Sequence, residues 1–173
     1  MMASGVGTPA KEVFGVIQVH LHGLGFDEQN KQPVVILKED EGLRVVPIWI
    51  GHPEAMAIML AIQGGAPPRP LTHDLLMGVI GATGFEVDRV EITRVEDSTF
   101  YASLVLRDSG RTMTLDARPS DCLALAVRSG CPVFVDEEVM STSGIVPDED
   151  AEQEVAKFRD FLDHVDPEDF IGS

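Results

Sequence analysis

The sequence predicts an α+β fold, with an antiparallel or mixed sheet built from hairpins and a meander and packed with short helices. Several short segments alternate apolar and polar residues, which is the period of half-buried strands. Between them lie apolar stretches that begin near proline, threonine or serine and end near glycine, as helices do. Because these strands and helices do not alternate strictly, the pattern disfavours a doubly wound parallel sheet.

The predicted strands form a first hairpin group and a later meander. A polar turn over residues 39–42 separates two apolar segments and indicates a hairpin. Short turns also separate three consecutive strands after residue 84, which indicates an antiparallel meander. The predicted strands cover residues 13–24, 34–38, 43–50, 85–95, 99–106, 111–116 and 132–135.

Three short buried helices and one C-terminal amphipathic helix complete the predicted fold. The three short ones cover residues 53–63, 72–84 and 119–128. Pro53 opens the first, Thr72 is a plausible N-cap of the second, and Gly130 can cap the third. In the second helix the apolar face consists of Leu75, Leu76, Val79 and Ile80. In the last helix an apolar stripe recurs at helical spacing and consists of Val155, Phe158, Leu162 and Val165.

Length and composition predict one domain with a packed core, because 44% of the 173 residues are hydrophobic and 24% are charged. We expect a flexible N-terminus over 1–10, the main domain over 11–140, a connection over 141–147, and a helix and tail over 148–173 that pack on the domain. Two cysteines are too few for a disulfide scaffold. The longest apolar run is much shorter than the ~20 residues of a bilayer span, so we expect a cytoplasmic protein without membrane contact.

The charge of the chain limits its partners. The net charge is -16, and residues 136–173 carry 13 acids and 2 bases. Binding to a polynucleotide depends on neutralised phosphates, so an acidic protein should bind nucleic acid weakly. All basic residues in 69–128 are arginines, but nine acids share that segment. Ion pairs on a solvated surface are therefore the simplest interpretation of these arginines.

Three acids, Glu54, Asp74 and Asp121, lie in the opening turns of the predicted helices. A structural role suffices for each, since a carboxylate near a helix N-terminus gains about 0.3–1 kcal/mol from the helix dipole. Two of these acids also follow an Arg-Pro step, at Arg69 and Arg118. Proline keeps the preceding arginine extended, so its side chain can reach past the helix end. The pattern predicts arginine–carboxylate bridges between neighbouring helix starts.

The alternative interpretation is a divalent-metal site for Mg²⁺ or Mn²⁺, which prefer oxygen ligands. The candidate ligands are Glu54, Asp74, Asp116 and Asp121. Such an ion could activate water against a phosphodiester, while Arg69 and Arg118 hold phosphate oxygens. His73 would be the nearest general base, so the catalytic candidates are His73, Asp74 and Asp121. The sequence contains none of the usual dinucleotide or phosphate-loop patterns, and we expect no nucleotide or flavin cofactor.

These segments resemble the bifunctional nuclease (BFN) domain family, in a bacterial form. The similarity lies in PIWIGHPEA at 47–55, RPLTHD at 69–74 and DARPSD at 116–121, followed by PVFV at 132–135. It covers about residues 12–140, and the tail from residue 157 to 170 is similar to the end of bacterial members. The resemblance implies an α+β fold and nuclease activity on RNA and DNA.

Two hypotheses about function follow. In the first, the protein is a divalent-metal-dependent nuclease with nucleic acid as substrate. In the second, it is a non-enzymatic regulatory or scaffolding domain that binds a protein partner or self-associates. We also expect a homo-oligomer, with a dimer as the simplest form, because a small domain with several hairpins has sheet edges to cover.

Overall fold

The computed structural model of the protein describes residues 15–147. Within that range, seven strands form one sheet in the order β3-β2-β1-β7-β4-β5-β6. The strands are β1 (Val16–Asp27), β2 (Gln32–Glu39), β3 (Val45–Trp49), β4 (Glu86–Glu96), β5 (Thr99–Arg107), β6 (Thr112–Ala117) and β7 (Val133–Asp136). The helices of the same range are α1 (His52–Ile62), α2 (Thr72–Ala82), α3 (Pro119–Ser129) and α4 (Glu137–Ser143). The predictions for residues 1–10 and 148–173 lie outside the described residues.

The sheet consists of two antiparallel meanders that the last strand joins. Strands β1, β2 and β3 form the first meander, and β4, β5 and β6 form the second. Strand β7 inserts between them, antiparallel to β1 and parallel to β4. The predicted α+β class, with a mixed sheet of hairpins and a meander, is confirmed.

The core lies where α1 and α3 cover the sheet. Among the helices of residues 15–147, α3 is the most deeply buried, and five consecutive residues from Cys122 to Ala126 are at most 5% exposed. They pack with fully buried strand residues such as Val35 and Ile92. Full burial of one aliphatic side chain contributes about 1.5–3 kcal/mol. This packing holds both ends of α3 in place relative to α1 and the sheet.

Two helices differ from the sequence prediction. Leu71, not Thr72, is the N-cap of α2, because the Asp74 carboxylate turns back to accept the Leu71 backbone N–H at 2.9 Å. The short helix α4 was not predicted, and it includes the first three residues of the expected 141–147 connection. Burial of Val139 and Met140 and a side-chain cap from Asp136 stabilise it, whereas its few residues show no clear period in sequence.

Helix α2 is less buried than predicted. Of its predicted apolar face, only Ile80 is buried within the described part of the chain. Leu75, Leu76 and Val79 are 62%, 39% and 50% exposed.

No helix among residues 15–147 combines the length and the apolar character needed to span a bilayer.

Candidate active site

The N-termini of α1, α2 and α3 each carry an acid in the first turn, as the sequence predicted. Pro53 and Pro119 occupy the start of α1 and α3, where a missing N–H costs nothing. Arg118 is the N-cap of α3 and has an extended backbone, as expected before proline. Its side chain therefore projects from the start of α3 toward the start of α1.

Arg118 binds two of the three acids. Its Nε donates to Asp121 Oδ2 at 2.8 Å, and its Nη2 donates to Asp121 Oδ1 at 3.1 Å. The same Nη2 lies 2.9 Å from Glu54 Oε1. The predicted bridge between neighbouring helix starts is confirmed for Arg118. The side chain of Arg118 is 65% exposed, and its Nη1 forms no hydrogen bond with another residue of 15–147, so it is open to a ligand.

His73 completes this group from the first turn of α2. Its Nε2 lies 3.0 Å from Asp121 Oδ1, and its side chain is only 12% exposed. Partial burial of Asp121 acts to raise its pKa, but the hydrogen bonds from Arg118 and His73 outweigh this and lower the pKa below its ordinary value. Asp121 is therefore ionised at neutral pH. We call Glu54, His73, Arg118 and Asp121 the Arg118 cluster.

Gly51 is a member of the site that the sequence analysis missed. It is the N-cap of α1, and a Cβ at this position would collide with Glu54 Oε2. With glycine at this position, the Glu54 carboxylate lies over the helix start with its other oxygen on Arg118, and a Cβ would push the end of the Glu54 side chain aside. The available signal in the sequence was a glycine directly before the predicted start of α1, with an acid, Glu54, three residues later in the first turn.

Asp74 belongs to a different contact. Its Oδ1 accepts a hydrogen bond from Arg128 Nε at 2.7 Å, and its Oδ2 caps α2 through the Leu71 N–H. The Arg128 bond is the largest of the effects that lower the pKa of Asp74, followed by the Leu71 N–H. Arg128 Nη1 also donates to the backbone oxygens of Ala57 and Ala124. Arg128 thus ties α1, α2 and α3 together, and this contact is structural.

Arg128 was not singled out from the sequence. It follows Asp121 by two helical turns, so both project from the same side of α3. The N-terminus of α2 spans these two positions, with His73 on Asp121 and Asp74 on Arg128. A basic residue in the last turn of a helix was the available signal, but its partner lies 54 positions away.

The remaining candidates do not join the Arg118 cluster. Arg69 lies exposed in the loop before α2, and Asp116 lies exposed on the edge strand β6. Neither forms an ion pair with another described residue. Within residues 15–147, no group of three or more histidine, cysteine or acidic side chains is placed to hold a metal ion. The four-ligand set is thus not assembled in this structure, and the metal requirement stays a prediction.

Comparison with known proteins identifies the family. The bifunctional nuclease domain model matches residues 35–148. An uncharacterised protein of Mycobacterium tuberculosis is 43% identical over 162 residues, which are 88% of this chain and 97% of that protein. The chain belongs to the bifunctional nuclease domain family.

Two of the plant relatives are named as nucleases. A protein named bifunctional nuclease 2 from rice (Oryza sativa subsp. japonica) is 28% identical over 138 residues, or 78% of this chain and 42% of that protein. A protein named bifunctional nuclease 1 from Arabidopsis thaliana is 26% identical over 117 residues, or 65% of this chain and 36% of that protein. The matched region is less than half of each plant protein.

Proposed function

We propose that this protein hydrolyses phosphodiester bonds of RNA or DNA at the Arg118 cluster. The family membership and the names of the plant relatives support a nuclease. The observation that carries the choice of site is the contact between His73 and Asp121 beside the exposed guanidinium of Arg118. Asp121 thus contacts both His73, which would be the general base, and Arg118, which would bind a phosphate oxygen.

Arg118 would bind the phosphate. Its Nη1 has free donors, and a guanidinium matches the geometry of phosphate oxygens. Arg69 is the second cation we assign to the substrate, since it is exposed in the loop that leads into α2. These two arginines would attract a phosphate locally, but the net charge of -16 repels the nucleic acid backbone as a whole. We therefore expect weak binding of nucleic acid.

His73 would act as the general base. The ionised Asp121 can only accept a hydrogen bond, so the proton of a neutral His73 lies on Nε2 and the lone pair lies on Nδ1. Nδ1 could take a proton from water as its oxygen attacks phosphorus, and the bond from phosphorus to the leaving oxygen then breaks. The imidazolium could return that proton to the leaving oxygen. Asp121 would stabilise the imidazolium between these steps.

Dependence on Mg²⁺ or Mn²⁺ is a separate part of the proposal. A divalent ion would stabilise charge on the phosphate and activate water. Of the proposed ligands, Glu54 and Asp121 are near each other, but both contact Arg118, and Asp74 contacts Arg128. The carboxylates proposed as metal ligands are thus paired with arginines among the described residues. The proton transfers proposed here use His73 and Asp121 alone.

The test is cleavage of labelled single-stranded RNA and DNA by purified protein, with Mg²⁺, with Mn²⁺ and with EDTA. Asp121→Asn should lower the rate by about 10²–10⁴-fold, because the general base His73 loses the carboxylate that holds its tautomer and stabilises its protonated form. Asp108→Asn is a matched control, since Asp108 also pairs with an arginine and also has a lowered pKa, but lies in the β5–β6 turn. Activity that survives Asp121→Asn, or that separates from the protein on a column, would exclude this site.

A non-enzymatic scaffold is the second candidate function. One observation favours it: both Glu54 and Asp121 are paired with Arg118, as a purely structural network would have them. A scaffold predicts no cleavage under any metal condition, and it predicts that Asp121→Asn changes stability alone.

We further propose a homodimer in the cytoplasm. The edge strand β6 supports the dimer, because Met113 and Leu115 are exposed on it.

A further inference from the structure

Two aromatic rings lie on the surface at the start of α1. Phe26 is near the end of β1 and is 39% exposed within residues 15–147. His52 is the first residue of α1 and is also exposed. The centroids of the two rings are 6.0 Å apart, and their planes make an angle of 60°, which is an edge-to-face contact. We call Phe26 and His52 the aromatic pair.

The backbone around the aromatic pair holds both rings in place. Phe26 lies directly opposite Pro33 in the ladder of β1 and β2, and Pro33 is buried. The Ile50 N–H donates to the Pro33 oxygen at 3.0 Å, which fixes the segment between β3 and α1 against β2. His52 follows Ile50 by two residues. Because two strands and a helix start position these rings, little ordering entropy is lost when a ligand contacts them.

The aromatic pair and the Arg118 cluster share the same end of α1. His52 and Glu54 lie in the first turn of this helix, separated by a rise of about 3 Å along its axis. Glu54 Oε1 in turn lies 2.9 Å from Arg118 Nη2. This end of α1 therefore combines exposed aromatic rings with an exposed guanidinium. A strand of nucleic acid presents the complementary combination, since each of its flat bases is joined to a phosphate.

We infer that the aromatic pair is a base-stacking subsite for single-stranded nucleic acid. An unpaired base of the strand stacks on the aromatic pair while Arg118 binds a phosphate of the same strand. The inference rests on the proposed function and assigns the form of its substrate. Bases within a duplex are already stacked and paired with each other, so an unpaired base is the one that can lie on these rings. Stacking of this kind tolerates any sequence, because every base has a π-face.

The charge of the protein gives the stacking contact a large share of the binding. The net charge of -16 opposes the phosphates, and the attraction of Arg118 for a phosphate weakens as salt rises. A base is uncharged, so its contact with Phe26 is neither repelled by the protein nor screened by salt. We therefore expect Phe26 to contribute equally to binding at low and at high salt.

Trp49 provides a matched control for Phe26. Trp49 is 46% exposed at the end of β3. It lies opposite Val34 of β2, whereas Phe26 lies opposite Pro33, the preceding residue. Because neighbouring residues of a strand point to opposite faces of a sheet, Trp49 and Phe26 are on opposite faces. Trp49→Leu thus removes an exposed aromatic ring without changing the aromatic pair.

The test measures binding of a short thymidine oligonucleotide by isothermal titration calorimetry, with phosphorothioate linkages that resist hydrolysis. Phe26→Leu keeps an apolar side chain but removes the ring, so it should raise Kd at least about fivefold, as expected for loss of one stacked base. Phe26→Tyr and Trp49→Leu should bind as the wild type does. An abasic strand of the same length, and a duplex, should bind no more tightly to the wild type than to Phe26→Leu.

Each outcome decides for or against the subsite. The inference is overturned if the wild type binds no oligonucleotide, if Phe26→Leu binds as tightly as the wild type, or if Trp49→Leu weakens binding as much. It is also overturned if Phe26→Leu weakens binding of the abasic strand equally, since a change in folding would then be the cause. Binding through Phe26 without cleavage of RNA or DNA would uphold the subsite and reject the proposed hydrolysis. Cleavage with a Kd that ignores Phe26→Leu would do the reverse.

Discussion

Replacing Arg128 by methionine should destabilise the protein strongly, although Arg128 lies outside the Arg118 cluster. The side chain is 11% exposed and makes its three hydrogen bonds to three different helices. Methionine keeps most of the aliphatic stem, so the change removes the guanidinium with little loss of packing. The substitution therefore measures how much this one group contributes to holding α1, α2 and α3 together.

The magnitude follows from the contacts. The bond between Arg128 and Asp74 joins two charged groups and is worth about 1.5–3 kcal/mol, reduced because the Asp74 side chain is about a third exposed. The carbonyls of Ala57 and Ala124 keep their own helical partners, so these bonds add only ~1 kcal/mol together. We expect a loss of about 2–3 kcal/mol in the free energy of unfolding.

Urea denaturation followed by circular dichroism measures this loss as a lower midpoint at constant slope. Arg111→Met is the matched control, since Arg111 is 71% exposed and pairs with Asp108 three residues away. We expect Arg111→Met to shift the midpoint only slightly, because solvent screens the attraction within an exposed pair. If Arg128→Met and Arg111→Met shift the midpoint equally, the structural role of Arg128 is refuted.

The pH dependence provides a second test of the same contact. Arg128 and the Leu71 N–H lower the pKa of Asp74 from its ordinary 3.8 in the folded protein. The stabilisation is therefore present above pH 3.8 and is lost as the pH falls through the lower folded-state pKa. The difference between the wild type and Arg128→Met should shrink as the pH falls below 3.8. A difference that stays constant down to acid pH would contradict the ion pair.

Three further predictions concern other parts of the molecule. Burial raises the pKa of Cys122 to about 12, so iodoacetamide at pH 8 should leave Cys122 unlabelled in the native protein and modify Cys131 first, as peptide mass spectrometry can show. Asp136→Ala removes the N-cap of α4 and should cost about 0.5–2 kcal/mol in urea denaturation; no shift would mean that burial alone holds α4. Leu115→Lys on β6 should convert the proposed dimer to a monomer by light scattering, and a wild-type monomer at micromolar concentration would exclude the dimer.

Local signals in the sequence determined the helix starts and the acids that occupy them. Pro53 and Pro119 act on their own turns, and the Arg118–Asp121 bridge spans only three residues. The alternation of apolar residues and the turns between them determined the hairpin of β2 and β3 and the meander of β4, β5 and β6, because each of these strands pairs with its neighbour along the chain. Such features depend on backbone geometry within a few residues, and a single sequence contains that information.

Tertiary structure decided which of these groups meet. The contact between His73 and Asp121 spans 48 positions, and the contact between Arg128 and Asp74 spans 54. Both depend on how α2 crosses α3, which buried packing sets and no local pattern encodes. The insertion of β7 between β1 and β4 is likewise a long-range choice. For this reason the metal-site interpretation gathered four acids at one place, whereas the fold puts Glu54 and Asp121 on Arg118 and Asp74 on Arg128. Asp116 lies apart from both arginines on β6.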